Sequence, residues 1–339
     1  MVSRPQHGGD LQRALHQYGG TAEQWLDLSA AISPWAYPHE WPSAEAGHHL
    51  PQTTEAVYDA IQAYYQPAKG WRAEAVAGSQ AVIQWLPWLH RQQYRGKSNQ
   101  VWLLAGSYGE HVWRWSLAGF DVCFFTPDAL VHALAVQAPP AALVLVNPDN
   151  PSGQLWSATQ LWQWQQQLEG GWLVVDEAFM DVWPQHSLLH RPACDGVFVL
   201  RSLGKFFGLA GWRLGVCFAS ARYIDLLCDW LGPWAVNGPG LAIMQQALLD
   251  DAWQQQQRQR LLIAQQRMQR LLDDKGCPYL ASQPLFVTIQ ADSRLQQRLA
   301  EQHIWSRYFA EQQRVRLGWP GTEPGWQRLG QALGSQNQP

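Results

Sequence analysis

Lysine is scarce in this chain of 339 residues: four, at positions 69, 97, 205 and 275, among 24 basic side chains. No basic block occurs and the net charge is −3, which excludes the electrostatic footprint of a nucleic-acid binder. Cysteine is sparse as well. The five thiols, Cys123, Cys194, Cys217, Cys228 and Cys277, form no CxxC pair. That argues against a disulfide framework or a thiolate metal centre and for a reduced, cytoplasmic protein. No apolar run approaches the ~20 residues of a membrane helix, and the stretch from Met1 to Asp10 lacks the apolar core of a secretory signal. Charged residues make up 15% and apolar ones 47%, so the chain has the composition of a folded protein with a sizeable core. Its length suits one large domain with a smaller companion.

What the chain does have is a strand–helix rhythm. Val101 to Leu104, Asp121 to Phe125, Ala141 to Val146, Gly171 to Val175, Gly196 to Leu200 and Leu214 to Ala219 are short apolar runs. Such runs are expected of strands buried on both faces of a mostly parallel sheet. Before them, apolar spacing predicts a helix from Leu11 to Tyr18. A second runs from Thr53 to Tyr65, with Thr53 or Thr54 as its N-cap. A third opens at Gly78-Ser79-Gln80, where free backbone N–H groups suit a phosphate, although capped helix starts are common in any protein. Pro233 to Lys275 reads as long, glutamine-rich helix. The strand Leu285 to Gln290, a helix and the strand Arg314 to Trp319 then suggest a small α+β domain. The predicted domains are an N-terminal arm (1–44) that is part of the small domain, a large domain (45–232) and the small domain (233–339).

Four polar residues fall just past strand ends: Tyr108, Asn150, Asp176 and Lys205. In an α/β sheet that is where binding groups gather. Lys205 lies in Ser202-Leu203-Gly204-Lys205-Phe206-Phe207-Gly208-Leu209-Ala210-Gly211-Trp212-Arg213-Leu214-Gly215. A lysine desolvated among glycines and apolar side chains can act as a nucleophile toward a carbonyl. Alone, the stretch is equally a loop whose lysine points to water.

Asn147-Pro148-Asp149-Asn150-Pro151-Ser152-Gly153, Asp176-Glu177-Ala178-Phe179 and the Ser202–Gly215 stretch together resemble, in order and spacing, the fold-type I pyridoxal-phosphate aminotransferases. In size the chain is similar to the histidinol-phosphate aminotransferase group. His7-Gly8-Gly9-Asp10 and the stretch from Asp27 to Pro34 look like threonine-phosphate decarboxylases of cobalamin synthesis. The resemblance implies pyridoxal 5'-phosphate as cofactor, attached to Lys205. Asp176 would pair with its ring nitrogen, Asn150 would donate to its ring oxygen and Tyr108 would stack on its face. Gly78, Ser79, Gln80, Ser202 and Arg213 would cradle its phosphate. Arg316 would take a substrate carboxylate, with Arg314 as the alternative, and His7 and Ser29 the substrate's own phosphate. His7 is otherwise an ordinary residue of a loose terminus.

The family also implies a homodimer. Two positions depart from its pattern: Phe179 stands where many relatives have tyrosine, and Leu50-Pro51-Gln52 replaces a Tyr-Pro-Asp-like motif. Three functions follow as alternatives. The first is decarboxylation of O-phospho-L-threonine to aminopropanol phosphate. The second is amino transfer on a phosphorylated amine such as histidinol phosphate. The third is a non-catalytic binding module, against which the intact set Lys205, Asp176, Asn150 and Arg213 stands.

Overall fold

The computed structural model describes residues 4–41, 43 and 45–334. The remaining positions, at the edges of the predicted arm 1–44 and of the predicted small domain 233–339, lie outside the described residues. The chain forms two compact units. The first comprises residues 37–150 and 154–253 with residues 4 and 5; the second comprises residues 6–36, 151–153 and 254–334.

The first unit is built on seven strands: β1 (Arg72–Val76), β2 (Gln100–Leu104), β3 (Asp121–Phe125), β4 (Ala142–Val146), β5 (Trp172–Asp176), β6 (Val197–Ser202) and β7 (Gly215–Ala219). Their order is β1-β7-β6-β5-β4-β2-β3. Strands β4 to β7 are buried along their whole length, as their unbroken apolar runs require. All pairs are parallel except those of β7, which runs against both β1 and β6. That exception was not expected from the sequence. It arises because Leu203 to Leu214 holds only a single short 3-10 turn, and a connection without a crossover helix returns the chain antiparallel. From β2 the chain steps outward to β3, then returns to β4 on the other side of β2. This reversal of strand order creates a crevice at the sheet's C-terminal edge, the usual ligand position in such folds.

The helix Glu55–Tyr65 starts after Thr54, but the Thr54 side chain makes no capping bond. The predicted long helix after Pro233 is two helices, Gly238–Leu249 and Asp251–Asp274. Asp250 separates them and accepts from Trp253 N at 3.0 Å. Gly238–Leu249 packs on Glu55–Tyr65 and therefore belongs to the first unit, a boundary about twenty residues beyond the one read from the sequence.

The second unit has a four-stranded antiparallel sheet of β8 (Tyr279–Gln283), β9 (Phe286–Gln290), β10 (Arg307–Phe309) and β11 (Arg314–Leu317), in the order β10-β11-β9-β8. Residues 6–36 join this unit: Leu26–Asp27 pairs in parallel with Ile304–Trp305. The helix Leu11–Tyr18 forms where its apolar spacing predicts, capped by Asp10. Among the described residues no helix is long and apolar enough to cross a membrane.

The core of the first unit contains a titratable group with a consequence for stability. His90 is fully buried, ringed by Tyr94, Trp115, Phe120 and Trp172. Its Nε2 lies 2.9 Å from the Ala141 carbonyl, so that nitrogen carries the proton of a neutral ring. Burial lowers its pKa from 6.5 to about 4. The unfolded chain therefore takes up a proton near pH 6.5, whereas the folded chain resists until about pH 4. The stabilisation is complete above 6.5 and is lost as pH falls toward 4, by about 3 kcal/mol for this one group. Urea midpoints measured from pH 7 to 4 are expected to fall less steeply in His90→Gln than in the parent. Equal slopes would assign the decline to carboxylates instead.

Candidate active site

Strand register assembles the first unit's site. Asp176 closes β5, paired with Val146 on one side and Leu200 on the other. Asn150 follows Val146 by four residues and Lys205 follows Leu200 by five, so all three leave the sheet at one edge. Ser202 pairs with Gly215, which pairs in turn with Val76. Gly78 and Arg213 each stand two residues from that row. Tyr108 follows the end of β2 and precedes the helix Gly109–Leu117. The nine residues expected here from the sequence thus come to one edge of one sheet.

Asp176 is 3% exposed. Its Oδ1 accepts from Ala178 N at 3.1 Å and its Oδ2 lies 3.1 Å from His111 Nε2. His111 is equally buried, and its Nδ1 has no partner among the described residues. Sequence reasoning missed this histidine. The available signal was its place three residues after Tyr108, in the first turn of the helix that Tyr108 precedes; the two rings meet edge to face at 6.1 Å. The loop that carries Asn150 is fixed from beneath. The Asn147 side chain makes two bonds to the Trp156 backbone, at 3.0 and 2.8 Å, and Asp149 accepts a bond from Ser107 Oγ.

Below the edge, Arg201 reaches Glu177 at 2.7 Å and Asp181 at 2.5 Å, all three almost fully buried. Glu177 also accepts from Ser187 Oγ and Leu188 N. Burial pushes the Glu177 carboxyl above its ordinary value, with the Arg201 charge pulling the other way. Because Glu177 follows Asp176 and Arg201 precedes Ser202, this cluster clamps the ends of β5 and β6 together. Lys205, half-buried, sits with Nζ 5.6 Å from the centre of the Phe179 ring, a cation–π arrangement.

The phosphate-sized cradle has a steric signature. Gly78 has φ +73°, and a Cβ there would meet Arg213 Nη2 at 2.6 Å. Only glycine lets the guanidinium lie against the start of the helix Ser79–Gln93, whose first N–H groups have no intrahelical acceptor. With the Ser202 hydroxyl, this donor set is one an anionic phosphate fits.

The second unit holds the other expected residues. Gly8 packs so closely on Ser29 that a Cβ would lie 2.1 Å from its carbonyl oxygen. Arg316, 5% exposed on β11, donates from Nη2 to that same carbonyl. Arg314 is less buried. The Ser29 hydroxyl is buried, donates to Asp27 Oδ1 at 2.6 Å and accepts from Gly9 N at 2.7 Å. These bonds shape the His7-Gly8-Gly9 turn. Two arginines that the sequence did not single out converge on Gln6, beside exposed His7. Arg307 Nη2 donates to the Gln6 carbonyl at 2.6 Å and Arg13 Nη1 to its Oε1 at 2.7 Å. Burial, and then the neighbouring Arg13 charge, push the Arg307 pKa down, as desolvation and a nearby like charge both do.

The chain belongs to the aminotransferase class I and II family, whose model matches residues 51–335. Within that breadth, it is 38% identical over 336 residues to a threonine-phosphate decarboxylase of Pseudomonas aeruginosa, covering 97% of each chain. It is 35% identical to one of Sinorhizobium sp, covering 96% of this chain and 97% of the other. Its fold is similar to that of a histidinol-phosphate aminotransferase from Sinorhizobium meliloti solved in complex with pyridoxal-5'-phosphate. That match has a TM-score of 0.77 at 20% identity, covering 98% of this chain and 95% of the other.

Proposed function

We propose that this protein is a pyridoxal-phosphate-dependent decarboxylase that converts O-phospho-L-threonine to CO2 and (R)-1-amino-2-propanol O-2-phosphate for corrinoid assembly. The reading rests on one observation above all: a lysine, a buried carboxylate and a phosphate cradle leave the same sheet edge in register. Full-length similarity to threonine-phosphate decarboxylases supports the choice of substrate. The residues present suit the cofactor's phosphate: at Gly78 the Arg213 guanidinium lies against the start of the helix Ser79–Gln93, where a Cβ would meet it at 2.6 Å, and the Ser202 hydroxyl adds a further donor.

When bound, pyridoxal phosphate supplies an aldehyde for the substrate amine and a ring that takes up the electron pair left as the carboxyl departs. The Lys205 amine would hold the cofactor covalently until the substrate amine displaces it, and, once freed, would deliver a proton to the carbon that has lost CO2. The Asp176 carboxylate, oriented by His111, holds a proton on the ring nitrogen. Asn150 would donate to the ring oxygen and Tyr108 would cover a ring face. The amides of Gly78, Ser79 and Gln80, with Ser202 and Arg213, hold the cofactor phosphate. Arg316 pairs with the substrate carboxylate. Arg13 and Arg307, with His7, would supply positive charge for the substrate phosphate beside the turn that Ser29 shapes. We place the protein in the cytoplasm as a homodimer, in line with its scattered thiols and its family.

The test is product identification: the cofactor-loaded protein with O-phospho-L-threonine should yield aminopropanol phosphate by NMR together with CO2. No product, or a keto acid instead, overturns the reading. Arg307→Ala is expected to raise KM for O-phospho-L-threonine by roughly 10- to 100-fold, the scale of one charge-assisted contact. Slow turnover of unphosphorylated L-threonine should change little, and equal losses on both substrates would remove Arg307 from the phosphate.

A further inference from the structure

Glu110 is 4% exposed and has no part in the chemistry assigned so far. Its Oε2 accepts from Gln80 Nε2 at 2.6 Å and from Arg114 Nε at 3.3 Å. Arg114 in turn lies 4.3 Å from the centre of the Trp113 ring, which fixes the outer end of the ion pair. A carboxylate paired with an arginine only accepts hydrogen bonds. The amide nitrogen of Gln80 must therefore face Glu110, and its amide oxygen must face the other way. There Gln80 Oε1 lies 3.4 Å from the Tyr108 hydroxyl. An amide oxygen also only accepts, so the tyrosine is the donor. With its proton turned toward Gln80, the hydroxyl presents its lone pairs on the other side.

We propose that Glu110 is a positioning residue that, through the side chain of Gln80, sets Tyr108 as a hydrogen-bond acceptor for a cationic amine. The amine is that of the substrate or of Lys205. Were Gln80 free to turn over, Tyr108 could as readily donate to a phosphate oxygen, and the tyrosine would lose its preference for positive charge. The same link ties the helix behind Tyr108 to the second residue of the helix that forms the cradle, so ring stacking and phosphate binding are held in one frame. The inference rests on the cofactor reading above and assigns a task to side chains that reading leaves unused.

The test is a double-mutant cycle on the cofactor-loaded full chain with Glu110→Gln and Tyr108→Phe. Two quantities are read: kcat/KM for O-phospho-L-threonine, and the midpoint of the pH titration of the bound cofactor's visible absorbance. Each single variant is expected to lose about tenfold in kcat/KM and to displace the midpoint in the same direction. The double variant should match Tyr108→Phe within about twofold, because Glu110 acts only through that hydroxyl. Losses that multiply, or a wild-type midpoint in Glu110→Gln, would overturn the proposal. If Glu110→Gln does not fold, Gln80→Met leaves the Glu110–Arg114 pair intact and enters the same cycle with the same criteria. Should the parent show the visible band but release no CO2, the substrate assignment fails while the titration still decides the Tyr108 link. A parent with no band under cofactor excess contradicts the cofactor reading and this inference with it.

Discussion

Lys205→Ala is expected to reduce turnover by at least about 10⁴-fold, the scale seen when a covalent catalytic group is removed outright. No other lysine can substitute. Lys69 and Lys97 lie in loops and Lys275 follows the helix Asp251–Asp274. Only Lys205 stands at the sheet edge beside Asp176, with its Nζ against the Phe179 ring. Because the substitution sits in a loop beyond β6, the melting temperature of the cofactor-free protein should stay within a few degrees. The visible absorbance of the loaded protein should disappear or move. A variant with more than about a hundredth of the parent's activity would show that the amine is dispensable.

Asp176→Ala should cost nearly as much, about 10²- to 10⁴-fold in kcat, corresponding to the ~3–5 kcal/mol lost when one partner of a buried charge pair is removed. The proposed function assigns this carboxylate, at the end of β5, to keeping a proton on the ring nitrogen. His111→Asn touches only Oδ2 of that carboxylate and leaves its charge in place, so its effect should be about tenfold. An Asp176→Ala enzyme as active as His111→Asn would mean that the aspartate merely supports the loop after β5. Steady-state kinetics on both variants at saturating cofactor separates the two cases.

Much of the first unit was legible from sequence because strands buried on both faces leave an unbroken apolar run with polar residues just past it. Asp176, Asn150 and Lys205 announced themselves in that way, and the register of β4, β5 and β6 then brought them together. The direction of β7 was not legible, since nothing in Leu214 to Ala219 distinguishes a parallel from an antiparallel strand. Tyr279 to Gln283 escaped notice because, half-exposed throughout, it shows neither an apolar run nor alternation. The bond from the Ser29 hydroxyl to Asp27 two residues away was not legible either, since a sequence does not reveal where a hydroxyl points. Arg13 and Arg307 were invisible as a pair because only the long-range pairing of Leu26 with Ile304 brings their segments together. The chemistry of Glu110 likewise needed the atomic donor and acceptor pattern, not the residue type.

The central claim is that the carboxyl leaves while the amine stays, on a phosphorylated amino acid. The most direct measurement is a paired product assay on the purified, cofactor-loaded protein. One sample holds O-phospho-L-threonine and is scored for CO2 and aminopropanol phosphate; the other holds histidinol phosphate with 2-oxoglutarate and is scored for glutamate. Stoichiometric CO2 and amine in the first, with no glutamate in the second, is the predicted result. Glutamate without CO2 would contradict it and make the protein an aminotransferase built on the same sheet edge.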